Sequence, residues 1–398
     1  MTTPARTLRA GIEKLGAEGR YERLMQICKA TLRAARTQGD LAAETTALIG
    51  LSVAHEALGK VHDAGVLARG ALDYARDLNQ REFLVDALLC NAEHHLRGRG
   101  EPYSALADAR EALDLAAEID YQYGMAYGLY LSAAALELRG QLETARSAAR
   151  EALDLADSLE LEILPIRCLV LMGNLEATRG EERLAEQALQ HALDLCAIAD
   201  LPMLEVETQL GLGLLFIADE HKRDEARSTL QGALKQAHQR SALLFEFEVT
   251  ETLGRLSLEE GDFETAGKHF DVLATMAARH QHPLLEMRAQ CALGDLAQES
   301  GQPLAAAEAF ALLVQLARQH QNPALQAEGQ VRASAAWMKA REYDKAIAAL
   351  NDARQVYASV DEDAQSQRLL FETIMAYLLR GIDLLLRLLG LRRRPDSD

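Results

Sequence analysis

Eleven histidines, five cysteines and ten tyrosines are the side chains in this 398-residue sequence that offer chemistry beyond simple charge. Their spacing decides which chemistry. His94 and His95 are adjacent, so on a helix they point about 100° apart and cannot bind one metal ion together. They read as surface or groove histidines. His280, His282 and His320 gather near the ends of helical segments, where a zinc site is one reading and complementing the helix dipole the simpler one. Cys28, Cys90, Cys168, Cys196 and Cys291 stand apart inside apolar helical patterns with no CxxC pair, as reduced core thiols do. The sequence contains no GxxxxGK[ST], GxSxG, HExxH or glycine-rich loop, so it supports neither nucleotide nor hydrolase chemistry. No metal or cofactor is expected, and no enzyme. Tyr123, Tyr127 and Tyr130 follow i, i+4, i+7 spacing and share one helix face. Two readings stand for them, aromatic packing between repeats or a platform on which a peptide stacks.

Helices must position these residues. Ala, Leu, Glu, Arg and Gln dominate, aromatic residues make up 5% and prolines number eight, a composition that disfavours a sheet core. The formal net charge of -18 repels nucleic acid and anionic lipid from the bulk surface and favours basic or neutral partners. The opening MTTPARTLRAGIEKLG lacks the apolar stretch of a secretory signal, and no segment approaches the roughly 18 uncharged apolar residues of a membrane span. A cytoplasmic location is expected.

Written about forty residues to a line, the chain falls into columns. Glycine recurs at Gly19, Gly59, Gly100, Gly140, Gly180, Gly261 and Gly301, with His221 and Arg341 in the same column. Five residues later come Ala64, Ala105, Ala145, Ala185, Ala226, Ala266, Ala306 and Ala346, with Leu24 the single exception. Further alanines follow at steps of seven and four, such as Ala71 and Ala75 or Ala112 and Ala116, which places one small-residue stripe on one helix face. The glycine supplies a left-handed helix end, and prolines stand where the next helix begins. REALDLAAEID (110–120) and REALDLADSLE (150–160) are nearly verbatim copies. Each unit is helix, turn, helix.

The pairs Leu253-Gly254 and Leu293-Gly294, followed by GDFETA and GQPLAAA, resemble the tetratricopeptide repeat, in its longer variant of about forty residues seen in bacterial regulatory and scaffold proteins. The resemblance covers roughly residues 5–360. It implies an all-α, right-handed α-solenoid of about nine helix-turn-helix repeats, whose first helices line a concave face that binds peptide segments of partner proteins. On this sequence the implied groove positions are Tyr127, Tyr130, Arg167, Asn174, Glu248, Glu251, Arg255, Arg288 and Asp295. Tyr123 joins them through the face it shares with Tyr127. Arg167 and Asn174 lack the companions of the two-carboxylate clamp by which some such proteins hold a chaperone C-terminus.

Residues 361–398 form a C-terminal amphipathic helix and basic tail outside the 1–360 solenoid. In it Arg380, Asp383, Arg387, Gly390 and Arg394 fall in a stripe about 80° wide and leucines cover the rest. The contact residues are Leu378, Leu379, Ile382, Leu385, Leu386, Leu389, Arg392, Arg393 and Arg394. One reading lays this helix on anionic lipid at the inner face of the membrane, drawn by five arginines against one aspartate in 376–394. Another buries it against a second copy or a partner, with Arg380, Asp383 and Arg387 as an ion-paired stripe facing water. A third makes it the last solenoid helix.

The expected function is a non-catalytic scaffold or adaptor that binds a peptide or protein segment in its groove, tethered by the C-terminal helix to a membrane or to another copy. No nucleic-acid partner is expected. The alternative is a peptide-responsive regulator, a signal-peptide receptor of the long-repeat type. Such proteins usually carry an additional N-terminal effector region, for which a first repeat beginning at about residue 5 leaves no room.

Overall fold

The computed structural model describes residues 3–360 and 363–388, and among these the chain is all-α. Sixteen of the described helices pair in sequence: α1 (Thr3–Ala17) with α2 (Tyr21–Gln38), α3 (Leu41–Ala57) with α4 (Val61–Arg76), α5 (Arg81–Arg97) with α6 (Pro102–Glu118), and α7 (Gln122–Leu138) with α8 (Leu142–Ser158). Then come α9 (Leu164–Thr178) with α10 (Glu182–Ala199), α11 (Pro202–Ile217) with α12 (Arg223–Gln239), and α13 (Leu243–Glu259) followed by α14 (Phe263–His280). Last are α15 (Pro283–Glu299) with α16 (Pro303–Gln319), α17 (Pro323–Lys339) with α18 (Tyr343–Ser359), and a single long α19 (Asp363–Leu388). The fold is an all-α solenoid of tetratricopeptide-like repeats. No described helix is long and apolar enough to cross a membrane.

The columns of the sequence have direct structural causes. All seven column glycines have positive φ, as does Arg341 at 63°, and each ends a helix in the conformation glycine adopts at least cost. At His221 a short 3₁₀ turn, Glu220–Lys222, makes the reversal instead. Pro102, Pro202, Pro283, Pro303 and Pro323 open α6, α11, α15, α16 and α17, where a missing N–H costs nothing. The eight alanines that follow the turns are fully buried, and there a small side chain lets the two helices of a hairpin approach closely. A second series of left-handed residues, Asp120, Glu160, Asp200, Ser241, Gln281 and Gln321, closes the second helix of six repeats, as Gly39 does in the first. No common residue type marks it.

The chain divides into two compact units, residues 1–260 and 261–398. The solenoid boundary drawn from sequence after residue 360 falls within the second. In the first unit, Leu24 replaces the alanine of the other repeats and is fully buried with Tyr21 and Cys28. This bulk accompanies an open first hairpin, because α1 makes few contacts with α2 and packs instead on α3.

In the second unit, Phe310, Leu313 and Ala317 of α16 form a core with Met287 and Ala336, and Ile347, Leu350 and Ala353 of α18 receive α19. The face by which α19 docks reverses one expectation. Leu369, Thr373, Ala376 and Asp383 are buried, and Arg380 Nη2 lies 2.9 Å from Asp344 Oδ1 on α18. Of the polar stripe, Asp383 therefore faces the solenoid, while Arg380 pairs with Asp344 at the surface; Arg387, Gly390 and Arg394 lie outside what is described of the side chains. Leu378, Leu379, Ile382 and Leu385 are left exposed and Leu386 half-buried. Leu389, Arg392, Arg393 and Arg394 lie outside the described residues.

Candidate functional site

The inner side of the first unit is formed by its odd-numbered helices, and their inward residues are more polar than packing alone requires. Asp86, Glu93 and Arg97 project from α5, Tyr123 and Tyr127 from α7, Arg167 from α9 and Glu207 from α11. Residues at i, i+7 and i+11 of α5 share a face, so one helix supplies three of these charges.

Four of the charged groups alternate in sign along a ladder. Arg167 Nη1 donates to Glu93 Oε1 at 3.0 Å, Arg97 Nη1 lies 3.8 Å from the same oxygen, and Arg97 Nη2 donates to Glu207 Oε1 at 3.1 Å. The Arg97 guanidinium also lies 5.3 Å from the centroid of Phe245, a cation–π distance. Burial works against the Glu93 carboxylate, but Arg167 and Arg97 outweigh it and hold its pKa below the usual range. Burial likewise opposes the charges of Arg97 and Arg167, and Glu207 and Glu93 overcome it, raising both. At the ends of the ladder, Arg167 Nε and Glu207 Oε2 are buried without a hydrogen-bond partner. They are a spare donor and a spare acceptor.

Two cavities open along this ladder. One is lined by Tyr21, Glu93, Arg97, Arg167, Met203, Glu207, Phe245 and Glu248 among others. The second is lined by Arg9, Glu13, Asp86, Tyr123, Tyr127 and Leu131 among others. They share Gly16, Val53, Cys90, Glu93 and Arg167. Each has the apolar wall with a few polar groups that suits a bound molecule. Burial pushes the Tyr21 phenol and the Cys90 thiol up to about 12, so neither is a nucleophile near neutral pH.

Helix α1 lines both cavities. Arg9 Nη2 pairs with Asp86 Oδ1 at 3.0 Å, and its guanidinium lies over Tyr123, which stacks on Tyr127 with 4.6 Å between ring centroids. The Tyr123 hydroxyl donates to Glu13. Ile12 reaches Gly50 of α3, and Ala17 joins the core of Ile163, Ile166 and Leu204. Burial pushes the Asp86 carboxyl up to about 6 against the pull of Arg9.

The residues implied as groove positions therefore separate. Tyr123, Tyr127, Arg167 and Glu248 line the cavities. Tyr130 packs among the hairpin cores beside Leu131 and Leu136, and burial raises its phenol pKa. Asn174 and Glu251 are half-buried and Arg255 exposed, and none of them lines either cavity. In the second unit Arg288 is half-buried, and Asp295 accepts from Arg332 Nη1 at 2.6 Å. The sequence reading overlooked Arg9, Asp86, Glu93, Arg97 and Glu207, which look like ordinary charged positions of amphipathic helices.

The histidines also take definite places. His94 is buried, with Nδ1 2.7 Å from Glu56 Oε2, and lines the first cavity, so of surface and groove it takes the groove. His95 lies between Glu101 and Asp108. His280 ends α14 and His320 caps α16. No group of three or more His, Cys, Asp or Glu suited to a metal ion occurs among the described residues.

No family model matches the chain, and no curated protein matches it. Solved structures do. A Rap protein complexed with Competence and Sporulation Factor matches with a TM-score of 0.64 at 13% identity, over 91% of this chain and 99% of that one. The Rap conjugation gene regulator of the plasmid pLS20, in complex with the Phr* peptide, matches at 0.56 and 12% identity over 87% and 98%. Aspartyl phosphate phosphatase F from Bacillus subtilis matches at 0.50 and 13% identity over 86% and 94%. At these identities the likeness is one of fold.

Proposed function

We propose that this protein is a non-catalytic, peptide-binding regulator or adaptor, and that the hollow of its first unit is where the peptide sits. The observation that carries this reading is the spare donor and acceptor, Arg167 Nε and Glu207 Oε2, buried in one apolar-walled cavity. A peptide group has one acceptor and one donor to offer them. Two of the similar folds were solved as complexes, one with Competence and Sporulation Factor and one with the Phr* peptide, which supports the reading. The cavity thiol is held protonated by burial, which favours binding over nucleophilic chemistry. Selection of displayed random peptides against the full chain tests it. Enriched peptides should bind wild type and lose roughly ten-fold or more in affinity to Arg167→Met or Glu248→Gln. Peptides that bind these variants as tightly as wild type would place recognition elsewhere.

A tether is the second part of the proposal, and the exposed face of α19 supports it. Phe371, Met375, Leu378, Ile382 and Leu385 recur at steps of four and three and are each at least 40% exposed. That spacing is the seam of helix pairing. The same seam on a second copy is self-complementary, so the occupant proposed is a second copy of this chain.

A further inference from the structure

The hollow of the first unit already holds a segment of its own chain, and the contacts of that segment spell out what the surface selects. Arg9, Ile12, Glu13, Gly16 and Ala17 occupy one face of α1 at i, i+3, i+4, i+7 and i+8. Arg9 meets Asp86 and Tyr123, Glu13 receives the Tyr123 hydroxyl, and Ile12 lies against Gly50. A Cβ added at Gly16 would sit in ordinary contact with the Val53 side chain at 3.8 Å, leaving room for a small residue and little more, and Ala17 is 3% exposed.

Two features make this helix replaceable. It packs little against α2, so removing it does not dismantle a hairpin as it would elsewhere in the solenoid. At 15 residues it is marginal as an isolated helix and takes its stability from docking. It also ends at Ala17, at the rim of the cavity that contains the unpaired Arg167 Nε and Glu207 Oε2. A longer occupant would reach groups that α1 leaves unsatisfied.

We infer that the inner face of the first unit is a docking site for an amphipathic helix with Arg and Glu four residues apart, followed one turn later by two small residues. Helix α1 is its built-in occupant, and a partner helix of this pattern binds by displacing it. This inference rests on the reading of the hollow as a peptide site and adds that the ligand is helical and competes with the chain's own N-terminal segment.

The probe is a labelled synthetic peptide of residues 3–20, offered to the full-length protein. Two variants open the hollow while keeping every residue of its wall outside α1: Arg9→Ala with Glu13→Gln, and Gly16→Leu. Wild type should bind the peptide weakly, and both opened variants roughly ten-fold or more tightly. Amide exchange over residues 8–17 should accelerate in both. Adding Asp86→Ala to the first variant should abolish the gain, because the peptide's arginine loses its partner. Equal binding to wild type and opened variants overturns the inference. So does unchanged protection of residues 8–17 in both variants, or release of that segment with no gain in peptide binding. If residues 3–20 bind in trans while no selected foreign peptide does, peptide regulation fails and the docking site stands. If foreign peptides bind wild type and opened variants alike, the displacement fails and the peptide site stands.

Discussion

The guanidinium carbon of Arg9 lies 3.3 Å from the centroid of the Tyr123 ring, and the hydroxyl of that same tyrosine donates to Glu13, one turn further along α1. One aromatic from α7 is thus gripped at its face and at its edge by a single helix. Tyr127 backs it from the other side at 4.6 Å. The three tyrosines that share a face in sequence therefore divide: Tyr123 and Tyr127 line a cavity, while Tyr130 contributes to core packing. Packing describes Tyr130, while a peptide platform on Tyr123 and Tyr127 belongs to the proposed function.

Arg9 tests how far the grip depends on shape. Lysine would keep the charge beside Asp86 but lacks the planar fork that stacks on a ring. Arg9→Lys should leave the melting temperature of the unit nearly unchanged and accelerate amide exchange over residues 8–17 several-fold. Exchange indistinguishable from wild type would mean that the ion pair alone holds α1.

Asp86 predicts a pH dependence of defined sign. Its folded pKa of about 6 exceeds the ordinary carboxyl value near 4, so the folded state binds the proton more tightly. Its contribution to stability is complete below about pH 4 and is lost as the pH rises through about 6. A gap of about two units corresponds to roughly 3 kcal/mol. Urea unfolding of wild type and Asp86→Asn across pH 4 to 7 should show wild type losing up to about that much relative to the variant. Glu13 and Glu82 face the same group. A difference that stays flat with pH would show that Asp86 does not titrate in this range.

Glu93 stands between two arginines, and its removal should be costly. Glu93→Gln leaves Arg97 and Arg167 as neighbouring half-buried cations, and losing hydrogen bonds to charged groups there costs about 1.5–3 kcal/mol. The exposed pair Lys268–Glu264 provides the contrast, since surface pairs contribute little. Denaturant midpoints should fall sharply for Glu93→Gln and stay within error for Lys268→Ala. A Glu93→Gln midpoint equal to wild type would show that the ladder is not structural.

What the sequence displayed was whatever recurs. Gly59 and Gly100, or Ala64 and Ala105, repeat because every hairpin solves the same turn and the same close approach. The site does not recur, so no column announces it. Glu93 and Arg97 share α5, but Arg167 and Glu207 reach them from α9 and α11 only in the folded unit, and single-helix periodicity carries no trace of that. One break in the pattern was visible, Leu24 in the alanine column, and it falls at the open hairpin that places α1 inside the hollow. The polarity of α19 was misread for a related reason. Its stripe has a partner, Asp344, on another helix, and the wheel of one helix cannot show which side is covered.

Glycines inside helices separate into two kinds that a mutation can distinguish. A Cβ at Gly294 would lie 2.4 Å from Phe310 Cε1, inside the core of the second unit, while one at Gly267 would meet nothing nearer than Leu296 Cδ2 at 3.6 Å. Gly294→Ala must shift a fully packed ring and should cost about 1–3 kcal/mol. Gly267→Ala fits its space and should gain about 0.5–1 kcal/mol by restricting the unfolded chain. Thermal melts of the two variants should move in opposite directions. A shared direction would show that the gap beside Phe310 relaxes freely.

The exposed seam of α19 gives the last prediction. Leu378 and Ile382 are 55% and 54% exposed and point away from α18, so replacing both by serine removes little buried area from the monomer. Its melting temperature should hold. If a second copy covers this seam, wild type should sediment with a concentration-dependent mass up to a dimer, and the double variant as a monomer, because a pairing seam loses most of its drive when its central positions become polar. The arginines of 376–394 raise the rival occupant, an anionic lipid surface. Vesicles containing phosphatidylserine separate the two. Wild type that stays monomeric at every concentration but floats with such vesicles, and a double variant that does not, would assign the leucines to lipid. A concentration-dependent dimer indifferent to vesicles would assign them to the second copy.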